Sequence, residues 1–195
     1  MNAPGKSLLI PFLSALILSP ALLLAHELAH YVAALWVRGT DVKLHYSCVT
    51  WNLSGEELTR RRGLVASAGP LVQATLAVGG FLWLGHVRKQ GPDGAATLGG
   101  WIATMLALNA GRWLRGFTGL PSHPRPRDEA VVSQALGFPG WFLPYLLAPL
   151  AVIAIVALVR LHRPGHRLYP FLSLGLGVTI SAVLWMNLLG PLLLP

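Results

Sequence analysis

Apolar stretches of about 20 residues or more recur from one end of this chain to the other, and that is the length an α-helix needs to cross a bilayer. Five are read, at about residues 8–37, 64–87, 95–114, 141–161 and 169–194. The first is longer than a crossing requires and contains Pro11 and Pro20, so it is expected to tilt, kink or break near Pro20, which would make six spans. Only 11% of the 195 residues are charged, against about 25% in a typical soluble domain, too few to cover a water-facing surface. The expected fold class is therefore an all-α, polytopic membrane bundle embedded in lipid, forming one domain over residues 1–195. Lys6 followed by an apolar run could be misread as a cleaved signal; Glu27 directly after the only plausible cleavage point fits poorly, and an uncleaved first span is expected.

The formal net charge of +8 would raise the question of nucleic acid in a soluble protein. Here the cations sit between apolar stretches, as in Arg60-Arg61-Arg62, where they set orientation instead, and no nucleic-acid partner is expected. With five spans, nine Lys/Arg residues fall on the side of the first and third loops and six on the other. That imbalance favours a cytoplasmic first loop in a cell's inner or cytoplasmic membrane, with the site described next nearer the cytoplasmic side. Cys48 is the only cysteine, so no internal disulfide and no cysteine-based metal cluster can form.

The loops carry their own signals. Residues 41–53 alternate, with Val42, Leu44 and Tyr46 on one side and Lys43, His45 and Ser47 on the other, predicting a short strand or hairpin. Residues 52–55 read as a turn, and residues 117–127 as irregular loop rich in Gly and Pro. Residues 128–136 are expected to form a short helix closed by Gly137. The Ser173, Gly177, Ser181 spacing reads as small-residue helix packing.

Within the first span lies His26-Glu27-Leu28-Ala29-His30. Histidines four apart share one face of a helix, and two imidazoles so placed can reach one Zn2+ ion. Glu27 can take the proton of a zinc-activated water, which is the chemistry of the HExxH motif. Ionisable groups inside an apolar span are costly and functional by default. A catalytic zinc usually has a third protein ligand. Asp128 and Glu129 fall on the motif's side of the chain; Asp128 could instead cap its own helix, and His123 and Asp41 are rivals. Gln73 and Asn109 are candidates for binding substrate backbone or an oxyanion, or for hydrogen bonding between helices. Arg112, three residues after Asn109, could face the site but is expected to snorkel to the interface.

Over residues 21–137 the chain resembles the site-2 protease family of intramembrane zinc metalloproteases. The resemblance rests on the HExxH segment, on Ala68-Gly69-Pro70-Leu71, and on Asn109, Leu120-Pro121 and Asp128 in that order. It implies that His26, His30 and Asp128 bind zinc, that Glu27 is the base, and that membrane-embedded or membrane-tethered substrates are cut, often after a first cut by another protease. Gln73 stands where many members have Asn, Glu129 follows the Asp where Gly is usual, and the gap from Asn109 to Asp128 is long. No PDZ or CBS domain is expected. The competing expectations are a catalytically inactive zinc-binding scaffold or chaperone, and a membrane peptidase acting on soluble or lipidated peptides. A metal transporter would need polar groups along several spans, and only the first is rich in them.

Overall fold

The computed structural model describes residues 6–52, 58–91, 94–114, 127–162 and 168–194. In chain order these form helix α1 (Lys6–Trp36), strands β1 (Thr40–Leu44) and β2 (Val49–Asn52), and helix α2 (Leu58–Lys89). A 3-10 turn (Gly94–Ala96) precedes α3 (Leu98–Ala107), which runs on as a 3-10 helix (Leu108–Trp113). Then come α4 (Asp128–Ala135), α5 (Phe142–Leu161) and α6 (Leu168–Leu184), whose end passes through a π turn (Trp185–Leu189) into α7 (Gly190–Leu193).

Four stretches are long and apolar enough to cross a membrane: Leu8–Trp36, Leu58–Lys89, Phe142–Leu161 and Leu168–Leu193. The bundle is lined inside by small and polar residues such as Ala15, Gln73, Thr104 and Ala151, while Ile17, Leu82, Ile153 and Leu176 are exposed on its outside. Large apolar side chains around the circumference fit a lipid surround better than water.

Two expectations about the spans are corrected. The first span does not break at Pro20: α1 is one helix of 31 residues. Proline has no amide to bond the carbonyl four residues back, here that of Leu16. The hydroxyl of Ser181 on α6 donates to that carbonyl at 2.8 Å, so a neighbouring helix satisfies what the proline leaves open. The Ser173, Gly177, Ser181 row is the packing seam the sequence suggested. Ser173 donates to the Leu8 carbonyl at 2.6 Å, and a side chain at Gly177 would meet the Phe12 carbonyl at 2.6 Å. Ser181→Ala is expected to lower stability by about 1 kcal/mol. Adding Pro20→Ala should recover most of it, because the new amide reaches Leu16 itself; unfolding of both variants in detergent checks this.

The third expected span is not a continuous α-helix. It holds ten α-helical residues and then six in 3-10 form, rising about 27 Å in all. Thr97 caps its start, accepting from the Gly100 amide at 3.1 Å. Near its end the Asn109 amide donates to the carbonyls of Leu106 at 3.0 Å and Met105 at 3.5 Å. A side chain competing for last-turn carbonyls tightens the winding there.

The alternating segment folds as an antiparallel hairpin, pairing Lys43 with Thr50 and Leu44 with Val49. Its first strand ends at Leu44, because the His45 amide turns to the Cys48 carbonyl at 2.9 Å. A bulge between Thr40 and Lys43 holds Asp41 at φ 52, where Asn52 donates to its carboxylate at 3.2 Å. The hairpin tip is fixed to the far end of the chain. The Trp185 indole donates to the Tyr46 carbonyl at 2.9 Å, and the Tyr46 amide to the Leu194 carbonyl at 3.3 Å. Of the expected 52–55 turn, residues 53–55 lie outside the described residues, as do residues 117–126 of the expected loop.

Candidate metal centre

Helix α1 brings His26 and His30 to its inner face, 7% and 5% exposed. Helix α2 passes closely over them at Gly69. A β-carbon there would fall on His26 Cε1 and His30 Nε2, and within 2.6 Å of His26 Nδ1. Only glycine lets a helix backbone press against two imidazoles in this way. One turn earlier on α2, the Val65 carbonyl accepts from His30 Nδ1 at 2.7 Å. One turn later, Gln73 faces His26. Arg112, which can only donate, approaches one end of its buried amide at 2.9 and 3.0 Å, which assigns the oxygen there; that oxygen also faces His26 Nδ1 at 3.0 Å and accepts from it.

The third group arrives on α4. Gly63 of α2 lies directly against the Ala135 side chain, allowing α4 to sit close to α2. Gly137, at φ 82, closes α4 as expected: the Gly137 amide bonds to Gln134 at 3.0 Å and the Phe138 amide to Ser133 at 2.9 Å. The buried Ser133 hydroxyl accepts from the Leu143 amide at 3.0 Å, tying α4 to α5. Asp128 does not cap this helix. It is the first helical residue, Arg127 holds the cap position, and the Asp128 carboxylate reaches the motif instead.

Asp128 Oδ2 stands 3.2 Å from His26 Nε2 and 3.1 Å from His30 Nε2, and the two Nε2 atoms are 3.1 Å apart. The rings are perpendicular, at 89°. Zinc bonds of about 2.0–2.1 Å imply edges of roughly 3.3–3.4 Å between tetrahedral ligands, so the triangle is close to one face of a zinc site. The tautomers strengthen the fit. The Val65 carbonyl and the Gln73 oxygen can only accept, so both Nδ1 atoms carry hydrogen. A neutral imidazole then has a lone pair on Nε2. Two such lone pairs and a carboxylate oxygen point at one spot, an arrangement that only a proton or a metal ion relieves.

Among the described residues this is the group of His, Cys, Asp and Glu side chains arranged to hold a metal ion. Of the rivals for the third position, Asp41 is engaged in the hairpin bulge and His123 lies outside the described residues. Glu129 is next to Asp128 but outside the triangle, and burial pushes its carboxyl up.

Glu27, 7% exposed, lies within electrostatic reach of His26, His30 and Asp128 and lines a cavity of about 490 Å³ between α1, the Leu108–Trp113 segment and α6. Asn109 and Arg112 share its wall with Glu27; Leu22, Met105, Val178 and Trp185 make it mostly apolar. The cavity reaches none of His26, His30 and Asp128, so Glu27 is where cavity and triangle meet. The structure thus brings together His26, His30, Asp128 and Glu27, with Asn109 on the cavity wall that Glu27 shares. Gln73 is 2% exposed and faces His26 rather than the cavity. Arg112 does not snorkel outward but packs inward on Gln73. Its spacing three residues after Asn109, which puts the two on one helix face, was the available signal. Comparison of the chain with models of known protein families, with curated proteins and with solved structures finds no match, so the case for this centre rests on its geometry.

Proposed function

We propose that this protein is an integral-membrane zinc metalloendopeptidase of the site-2 protease type, cutting membrane-embedded or membrane-tethered protein segments. The observation that carries the reading is the convergence of three acceptor atoms, His26 Nε2, His30 Nε2 and Asp128 Oδ2, beside a carboxylate that opens on a mostly apolar cavity. The position along α1 supports a site within the membrane. His30 and His26 fall inside the apolar stretch Leu8–Trp36, roughly 9–15 Å from its end at Trp36.

His26, His30 and Asp128 would hold a zinc ion, which would supply Lewis-acid chemistry there, lowering the pKa of a bound water toward ~7 and polarising a carbonyl. Glu27 takes the proton of the attacking water and delivers it to the leaving amine nitrogen. The apolar wall formed by Leu22, Met105 and Val178 accepts an apolar side chain of the substrate and excludes bulk water. Asn109 lines the same cavity, but its amide hydrogens are committed to Leu106 and Met105, so its oxygen is the atom left to meet a substrate amide. The substrate is a transmembrane segment, an upstream protease is a natural partner, and the surrounding lipid belongs to an inner or cytoplasmic membrane.

The first test is zinc per chain in detergent-purified protein. Close to one zinc is expected in wild type, with a clear loss in His26→Ala and in Asp128→Ala. Zinc retained in Asp128→Ala would move the third ligand elsewhere. A wild-type chain that takes up none, even after reloading, would remove the metalloprotease reading.

A further inference from the structure

Gln73 and Arg112 form a chain of contacts that ends on a ligand of the candidate metal centre. Arg112 can only donate hydrogen bonds. It places two of them, at 2.9 and 3.0 Å, on the oxygen of the Gln73 amide. That forbids the amide from turning over, because the turned amide would set its NH2 group against the guanidinium. The oxygen is therefore held in place, and it also faces His26 Nδ1 at 3.0 Å. An oxygen at that position accepts a hydrogen from Nδ1; an NH2 group there would demand the opposite tautomer, with the hydrogen on Nε2, where a metal must bind. His30 needs no such device, since the carbonyl of Val65 can only accept.

From this geometry we infer that Arg112 is a positioning residue for His26: by locking the orientation of the Gln73 amide it fixes the tautomer that presents Nε2 to the metal. The inference rests on the metal reading given under Proposed function and goes beyond it by assigning roles to two residues outside the ligand set. Partners that orient a metal-bound histidine commonly change metal affinity by 10- to 100-fold. The arrangement also accounts for a guanidinium turned into the bundle. There it sits on the same cavity wall as Glu27, within electrostatic reach of that carboxylate.

The test compares zinc affinity, by chelator competition, and the visible spectrum of the cobalt-substituted protein in wild type, Arg112→Met, Gln73→Glu and the double variant. Arg112→Met is expected to weaken zinc about 10-fold or more and to shift the cobalt bands. Gln73→Glu replaces the amide with a carboxylate, which accepts in either orientation and needs no lock. In that background, loss of Arg112 should cost little, and the double variant should bind zinc close to the wild-type level. A role confined to packing predicts that the two substitutions add instead. Wild-type affinity and an unchanged cobalt spectrum in Arg112→Met would overturn the inference, as would a double variant no better than Arg112→Met. If wild type binds zinc, either of those failures leaves the metal reading standing. If wild type binds none, the metal reading falls and takes this inference with it.

Discussion

Glu27→Gln is expected to keep zinc at about one per chain and to lower peptide-bond cleavage by about 10²–10⁴-fold, the usual contribution of a positioned proton-transfer group. The two effects separate because Glu27 lies outside the His26–His30–Asp128 triangle yet beside it. Glutamine has nearly the same size and fits the same wall, but it cannot take a proton from water. The substrate for the assay is a single-pass segment selected as cleaved by the wild-type chain in liposomes. The competing reading of a zinc-bound scaffold makes the opposite forecast. A scaffold would lose nothing on Glu27→Gln, and its wild type would cleave no member of a broad panel of membrane segments. Full cleavage by Glu27→Gln would remove Glu27 from the chemistry. Zinc lost with the carboxylate would mean that Glu27 is itself a ligand.

Much of this site can be read from the chain because the informative pattern is local. His26, Glu27 and His30 lie within five residues, and a helix fixes how they face. The long apolar helices are legible for the same reason, as is the closure of α4 at Gly137. What could not be read depends on neighbours distant in sequence. Pro20 looks like a break because nothing in its surroundings supplies a donor for the Leu16 carbonyl; the donor is Ser181, on α6. Asp128 fits a helix cap equally well until α2 and α4 meet at Gly63 and Ala135 and carry its carboxylate to the imidazoles. Arg112 reads as a snorkelling cation because its partner Gln73 belongs to a different helix. Gln73 was legible as a polar residue in a span with some task. Whether that task was to touch substrate or to hold His26 depended on which way α2 turned. The tightening of the third span began with one side chain, Asn109, whose preference for nearby carbonyls competes with propensity only weakly in the sequence.

Gly69→Ala should abolish the metal centre while the bundle stays folded, the largest effect expected from adding a single methyl group. The new β-carbon would fall on His26 Cε1 and on His30 Nε2, a ligand atom, with His26 Nδ1 at 2.6 Å. Three neighbours this close cannot all retreat. Rotating His30 away breaks its 2.7 Å bond to the Val65 carbonyl, which comes from the same helix one turn earlier. Moving α2 outward as a whole disturbs Gly63 against Ala135 and Gly80 against Ala107, the contacts that seat α4 and α3. Overpacking of this kind costs about 1–3 kcal/mol, which a bundle of this size can absorb while its ligand geometry does not. Zinc affinity is expected to fall by about 100-fold or more, at the upper end of what partners around metal ligands contribute. The control lies on the same helix. A side chain at Gly79 would meet nothing within 4 Å. Gly79→Ala should therefore bind zinc normally and gain about 0.5–1 kcal/mol from the better helix former. Zinc affinity and unfolding midpoint, measured for both variants, decide the matter. If Gly69→Ala binds zinc as tightly as wild type, the close passage of α2 over the two histidines is not what shapes this site. If both variants lose zinc alike, the loss reflects a change in α2 as a whole rather than the two rings beneath Gly69.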